Sequence, residues 1–153
     1  MKTLLEVNAI ENGTVIDHIP ADALFKVMRV LSLDNITNRI TFGTNLPSKR
    51  MGTKAIIKVS DMTLDKENLD KIAIFAPNAR ISRIENYQVV EKQKMSVPDQ
   101  FTGNIRCANP MCITNKEDVE TKFNVIDKEN ITLRCHYCEK ITPAERFEII
   151  FKR

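Results

Sequence analysis

Cys107, Cys112, Cys135 and Cys138 are the residues of this chain best equipped for chemistry, and they are all the cysteines it has. They fall as a C-x4-C pair and a C-x2-C pair with 22 residues between them. Each short loop can turn two sulfurs to one side. Two such knuckles facing one another supply the four thiolates that tetrahedral zinc accepts in closed structural sites. A closed site leaves no position for water, so the pattern predicts folding stability and not hydrolysis. Iron in the same four-thiolate geometry is the chemical competitor, because thiolate spacing does not choose the metal sharply. A redox pair at Cys135-His136-Tyr137-Cys138 is a second alternative, but such pairs sit at a helix start in a βαβ setting, and this segment reads as all-β. Two disulfides would need an oxidising compartment. His136 beside four sulfurs reads as a spacer.

The elements around the cysteines are short. Gly103–Arg106, Lys122–Ile126, Ile131–Arg134 and Phe147–Phe151 have β character and alternate with turns. Phe101, Phe123, Tyr137, Phe147 and Phe151 read as their core. A unit of about 55 residues lacks the core to be comfortably stable alone, so a metal staple makes physical sense.

The longer N-terminal part reads differently. Leu4–Ile10 and Thr14–Ile19 form extended segments around a turn at Glu11-Asn12-Gly13. Pro20 and Asp22 open a helix through about Leu33, with Leu24, Val27, Met28 and Leu31 on one stripe. Arg39–Leu46 is a strand stopping at Pro47, and Ala55–Val59 is the next. A second helix places Leu69, Ile72, Ala73 and Ala76 on one face up to Pro77. Strands at Arg80–Ile84 and Gln88–Lys92 follow. Strand, helix, two strands, helix, strand is the ferredoxin-like plan, an α+β sandwich with two helices on one sheet face. The pattern breaks over Gln93–Gln100, where a linker belongs. The expected domains are therefore residues 1–98 and 99–153.

Composition narrows the function. The chain of 153 residues is 42% hydrophobic and 28% charged, which permits a packed core and argues against wholesale disorder. No apolar run approaches the roughly 20 residues that cross a bilayer, and Glu6 and Asn8 interrupt any signal-like start. The expected location is the cytoplasm. Net charge is +3, and the first 98 residues hold all of it, with 14 Lys and Arg against 11 Asp and Glu. Residues 99–153 carry nine of each, so four thiolates around one dication would leave that part negative. Such a balance offers no footprint for a phosphate backbone, which counts against a zinc-ribbon nucleic-acid module, the leading rival for a four-cysteine domain. Two histidines, no Trp, and no nucleophile elbow, phosphate loop or H-E-x-x-H motif leave no visible active site. A binding or regulatory role stands above an enzymatic one.

Several rarer strings run in one register from about Leu5 to about Lys140. They are Gly13-Thr14-Val15-Ile16-Asp17-His18-Ile19-Pro20, Arg39-Ile40-Thr41 with Asn45-Leu46-Pro47-Ser48, Met51-Gly52 with Lys54, Ala76-Pro77, Arg83-Ile84-Glu85-Asn86-Tyr87, and the cysteine block with Ile113, Tyr137 and Glu139. Together they resemble the regulatory chain of aspartate carbamoyltransferase. The resemblance implies a non-catalytic subunit in pyrimidine biosynthesis. Its N-terminal domain would bind the nucleotide effectors CTP and ATP, and its zinc domain would dock on the catalytic chain. Regulatory dimers would join catalytic trimers in a dodecamer of six catalytic and six regulatory chains.

Carried across residue by residue, the resemblance puts Val7, Ala9 and Ile10 near the base. Asp17 and Lys58 fall at the ribose, and His18 and Lys92 at the phosphates. Ile84, Tyr87 and Val89 complete the pocket, with Lys54 nearby. Lysines suit a triphosphate as mobile point charges, and apolar strand residues can wall a base. Taken singly, Ile10, Ile84 and Val89 read equally as core, Lys54 and Lys92 as solvated charges, and Asp17-His18 as a backbone cap. Asn8 and Ser82 depart from better-known members, which have an acidic residue and an Asn near the base. In the cysteine loop Asn109 is retained and Met111 replaces a polar residue at the catalytic-chain contact, where Glu117 also matches.

Overall fold

The computed structural model describes residues 9–150, so the expectations for Leu4–Asn8, Val7 included, and for Phe151 lie outside the described residues. The chain divides into two compact units, Met1–Ser96 and Val97–Arg153. No helix among the described residues is long and apolar enough to cross a membrane.

The first unit contains β1 (Gly13–Ile19), α1 (Leu24–Val30), β2 (Ile40–Ser48), β3 (Gly52–Ser60), α2 (Lys66–Phe75), β4 (Arg80–Glu85) and β5 (Gln88–Gln93). Its sheet runs β2-β3-β1-β4-β5 with every pair antiparallel. Elements β1 to β4 with their two helices are the expected split βαβ plan, and β5 extends it as a hairpin on β4.

Side-chain alternation divides the sheet into two faces. On one, Thr14, Ile16, Ala55, Ile57, Val59 and Ile81 are buried. The apolar stripes of the helices supply their cover: Leu24, Val27 and Val30 from α1, and Ile72, Ala73 and Ile74 from α2. Thr14 keeps its hydroxyl satisfied in this core by donating to the Met62 carbonyl at 2.6 Å. The opposite face carries polar and half-buried residues.

Strand β3 starts at Gly52, ahead of the expected Ala55, and two further boundaries depart from the sequence expectation for identifiable reasons. The first helix stops at Val30, short of Leu33, because Ser32 turns left-handed at φ 54° and the chain tightens into a 3-10 turn at Leu33–Asn35. Strand β2 does not stop at Pro47 but passes through it, with Pro47 facing Thr53. Because β2 is an edge strand, the missing proline N–H can face outward without breaking the sheet. The second helix starts where Asp65 caps it, accepting from the Asn68 N–H at 2.8 Å, and ends before Pro77.

The second unit holds β6 (Gln100–Thr102), β7 (Ile105–Arg106), α3 (Ile113–Lys116), β8 (Lys122–Asp127), β9 (Thr132–Cys135), β10 (Ile141–Pro143) and β11 (Glu148–Ile149). A four-stranded sheet runs β10-β9-β8-β6, and β11 pairs with β7. Phe101, Ile105, Phe123, Ile131, Leu133 and Phe147 are buried, but Tyr137 is 46% exposed and is not core as its aromatic character suggested. It sits in the turn after β9 and stacks edge-to-face on His136 at 5.2 Å.

The tightest packing constraint in the first unit lies at Gly13, where β1 begins with φ 140° and a Cβ would fall 2.1 Å from the Val59 carbonyl oxygen. Gly52, with φ 80°, has nothing within 4 Å of a built Cβ. Gly13→Ala should therefore lower stability by about 3 kcal/mol or more, and Gly52→Ala by about 1 kcal/mol. Thermal or denaturant unfolding of the two variants measures the difference; equal losses would contradict this account of Gly13.

Candidate functional site

The four cysteines arrive from two directions. Cys107 follows β7, and Cys112 stands at the start of α3. Cys135 closes β9, and Cys138 lies in the turn before β10. Backbone bonds shape each knuckle. The Cys112 N–H donates to the Asn109 carbonyl at 3.0 Å, and the Glu139 N–H donates to the Cys135 carbonyl at 3.0 Å. Glu139 takes φ 65°, the left-handed step that lets the second knuckle close. Asn115 ties the first knuckle down: its side-chain amide donates to the carbonyls of Cys107 at 2.9 Å and Asn109 at 2.7 Å.

The result is one sulfur cluster. All four Sγ atoms lie within 4.8 Å of one another. Cys107 and Cys138 are 3.5 Å apart, and Cys112 and Cys135 are 3.7 Å apart. A disulfide would need about 2.05 Å, so these are free thiols. Four sulfurs each about 2.3 Å from a central ion stand about 3.8 Å apart at tetrahedral corners, and the observed spacing fits. Cys107, Cys112 and Cys135 are at most 2% exposed, with Cys138 more open. The Thr114 hydroxyl donates to Cys112 Sγ at 3.2 Å, a bond suited to a sulfur carrying negative charge.

Without an ion this cluster is electrostatically awkward. Burial pushes the Cys107 and Cys135 thiols up. Burial acts in the same direction on Cys138, but the Lys140 N–H, the Asn109 amide and the neighbouring thiols outweigh it and bring that thiol down to about 7. A divalent ion resolves the conflict by making all four sulfurs thiolates at once.

The N-terminal candidates gather on the open sheet face. Lys58, Val15, Ser82 and Lys92 form one cross-strand row, paired Val15 to Lys58, Val15 to Ser82 and Ser82 to Lys92. On one side of this row, toward the start of β1, Ile84 pairs with Gly13 and Val89. Ala9, Ile10 and Tyr87 line one hollow of about 260 Å3 beside it, together with Asn12. On the other side, β1 bulges: Asp17 and His18 intervene between the Ile16–Ile57 and Ile19–Ala55 pairs, and His18 takes φ 60°. Asp17 Oδ1 accepts the His18 N–H at 2.6 Å and the Lys54 ammonium at 2.9 Å. Arg80 pairs across the ladder from Asp17.

Charge on this face is poised. Burial pushes the Lys58 ammonium down, opposed by Asp17. Burial also pushes the His18 imidazole down, again opposed by Asp17, with Lys54, Arg80 and Arg50 adding to the depression. His18 Nδ1 is buried with no hydrogen-bond partner; Asp17 Oδ1 at 3.5 Å is a charge neighbour only when the ring is protonated. Ile10 and Ile84 are buried, as their core reading allows, but Val89 is 53% and Tyr87 65% exposed, so neither is core. Among these residues, Asn12, Arg80 and Asn115 escaped the sequence reading. Asn12 and Arg80 gain roles through partners distant in sequence, Asn86 and Asp17, and Asn115 through carbonyls within its own knuckle; spacing carries no trace of either.

Removing the ion or one sulfur should unfold the second unit and spare the first, since metal-binding energy here is folding energy. Chelation of the native chain, or Cys112→Ser, should abolish the amide dispersion of residues 97–150 in a heteronuclear NMR spectrum while leaving residues 9–96 in place. Acid should act like a chelator. The loaded fold holds no protons on these sulfurs, whereas unfolded thiols, with ordinary values of about 8.5, hold all four near pH 6. Stability of the loaded fold therefore rises with pH up to about 8.5 and falls below it. Metal release followed from pH 8 to pH 5 checks the sign; retention unchanged across that range would contradict it.

Comparison with known proteins agrees with this geometry. The family model described as aspartate carbamoyltransferase regulatory chain, allosteric domain, matches residues 5–96. The model for the metal binding domain of the same chain matches residues 99–148. The aspartate carbamoyltransferase regulatory chain of Porphyromonas gingivalis is 50% identical over 144 residues, covering 94% of this chain and 95% of its own length. That of Bacteroides fragilis is 46% identical, with 97% of both chains covered. The Pyrococcus abyssi chain is 50% identical over 143 residues, covering 92% of this chain and 94% of its own. With both units matched in order along nearly the whole length, the chain belongs to the aspartate carbamoyltransferase regulatory-chain family, a non-catalytic subunit with an allosteric and a metal-binding domain.

Proposed function

We propose that this subunit binds CTP and ATP on the open face of its first sheet and passes their effect to a catalytic chain of aspartate carbamoyltransferase through its zinc-loaded second unit. The observation that carries this reading is the ordering of chemistry along β1. The hollow lined by Ala9, Ile10 and Tyr87, with Ile84 and Val89 beside it, accepts a base. The Lys58–Ser82–Lys92 row lies next, and Asp17, His18, Lys54 and Arg80 cluster beyond it. Gly13 to Asp17 spans about 13 Å of strand, which suits a nucleoside triphosphate laid along the sheet.

Each group has a role in this scheme. Asp17 holds Lys54 and the bulged backbone in place and faces the sugar together with Lys58. Lys92 and the imidazole of His18 meet phosphate oxygens. A polyphosphate adds negative charge that, with Asp17, offsets the cost burial puts on the Lys58 ammonium. The ion held by Cys107, Cys112, Cys135 and Cys138 is zinc, in a structural and not a catalytic part. The domains at work are residues 1–98 for the nucleotide and 99–153 for the catalytic-chain contact, in the cytoplasm. The assembly is a dodecamer of six catalytic and six regulatory chains joined through regulatory dimers. Control follows from unequal nucleotide affinity for two quaternary states, and reciprocity requires that ligands of the catalytic chain shift nucleotide affinity by the same factor.

Calorimetric titration tests the binding step. The native chain should take up CTP and ATP, and Lys58→Ala or Lys92→Ala should each weaken both by about tenfold or more, the scale of one charge-assisted hydrogen bond, at the sugar for Lys58 and at the phosphates for Lys92. Lys66→Ala, on the exposed side of α2, should leave both affinities unchanged. Nucleotide affinity insensitive to Lys58 and Lys92 would place the site elsewhere.

A further inference from the structure

Tyr87 is held in an uncomfortable place. The β4–β5 hairpin closes between the paired Glu85 and Gln88, leaving Asn86 and Tyr87 as a two-residue loop. Both residues are left-handed, with φ 51° and 66°. This is the geometry of a type I′ turn, which favours Asn-Gly, and a bulky aromatic in its second position is disfavoured. The conformation therefore depends on restraint from outside the hairpin.

That restraint comes from the residues just before β1. The Tyr87 N–H donates to the Glu11 carbonyl at 2.9 Å, and the Asn86 N–H donates to the side-chain carbonyl of Asn12 at 3.2 Å. The Asn12 main-chain carbonyl also accepts the Asp61 N–H at 3.0 Å, where Asp61 is itself left-handed at φ 56°. Asn12 thus fastens the ends of β3 and of the β4–β5 hairpin to the start of β1. It lines the same hollow as Ala9, Ile10 and Tyr87.

We infer that Asn12 is a positioning residue for the base end of the nucleotide surface: through its side-chain carbonyl it fixes the Asn86–Tyr87 turn and so the pose of the Tyr87 ring. The inference rests on the nucleotide reading above. It adds a residue that contributes no charge and acts through Tyr87, not through the phosphates. Only the Oδ1 bond depends on the Asn12 side chain. Asn12→Ala therefore removes one bond and leaves the Glu11 and Asp61 backbone bonds in place. Asn12→Asp keeps an acceptor of the same reach.

The test uses the full, metal-loaded chain with three probes: CTP, ATP and inorganic triphosphate. Asn12→Ala should weaken CTP and ATP by about three- to tenfold, the scale of one lost hydrogen bond. It should leave triphosphate affinity within twofold and quicken hydrogen exchange at the Asn86 amide. Asn12→Asp should restore nucleotide affinity to within about twofold. CTP and ATP affinities unchanged in Asn12→Ala overturn the inference. So do equal losses for triphosphate, or failure of Asn12→Asp to restore binding, since these mark a general disturbance of the sheet. Should the parent chain bind neither nucleotide, the nucleotide reading itself falls and takes this role with it; nucleotide binding by the parent with no effect at Asn12 removes this inference alone.

Discussion

Four ionisable sulfurs packed inside a unit of fewer than 60 residues impose the constraint on which the C-terminal unit depends. Buried thiols resist ionisation, and buried thiolates repel one another; only a cation at their centre makes the arrangement favourable. The surroundings are built to that end. Left-handed Glu139 and the Asn109 and Asn115 side chains spend their hydrogen bonds on knuckle backbone and sulfur, and not on neighbouring elements. The apolar contribution is modest by comparison, with Phe101, Ile105, Phe123, Ile131, Leu133 and Phe147 as its main buried side chains. A folded unit of this size with so few large core residues is what an ion-centred design permits.

The first unit solves a different problem. Its helices cover much of one sheet face, which leaves the other largely free of duty to the core. That face can then carry Lys54, Lys58, Lys92 and Arg80, with burial, Lys54 and Arg80 depressing the His18 imidazole and Asp17 as a partial counterweight. Such a surface gives up some stability in the unliganded state and regains it when an anion arrives. The bulge at Asp17 and His18 belongs to the same logic: an extra residue re-aims two polar side chains at the end of an otherwise regular strand.

Much of this was legible from residue types and spacing. The cysteine spacing foretold the sulfur cluster because ligand geometry and loop length are local. The helical stripe through Leu24, Val27 and Leu31 and the alternating strands foretold the split βαβ plan for the same reason. What escaped was decided by single backbone conformations or by contacts distant in sequence. Ser32 going left-handed shortened the first helix, and Pro47 was tolerated because its strand lies at an edge, a fact that depends on sheet order. Tyr137 looked like core by composition but lies in a turn shaped by the sulfurs on either side of it. Aromatic character alone could not reveal that. Asn12, unremarkable in sequence beyond marking a turn, acquires its role only when residue 86 is brought beside it.

The distribution of aromatic residues carries a practical consequence. The chain has no tryptophan and two tyrosines. One, Tyr87, borders the hollow beside Asn12 in the first unit; the other, Tyr137, lies between two of the cysteines in the second, and both are substantially solvent-exposed. Each unit thus contains a single tyrosine, one beside the proposed nucleotide surface and one beside the sulfur cluster. Phenol emission, separated by replacing one tyrosine with phenylalanine at a time, can report occupancy of either surface in the unlabelled protein.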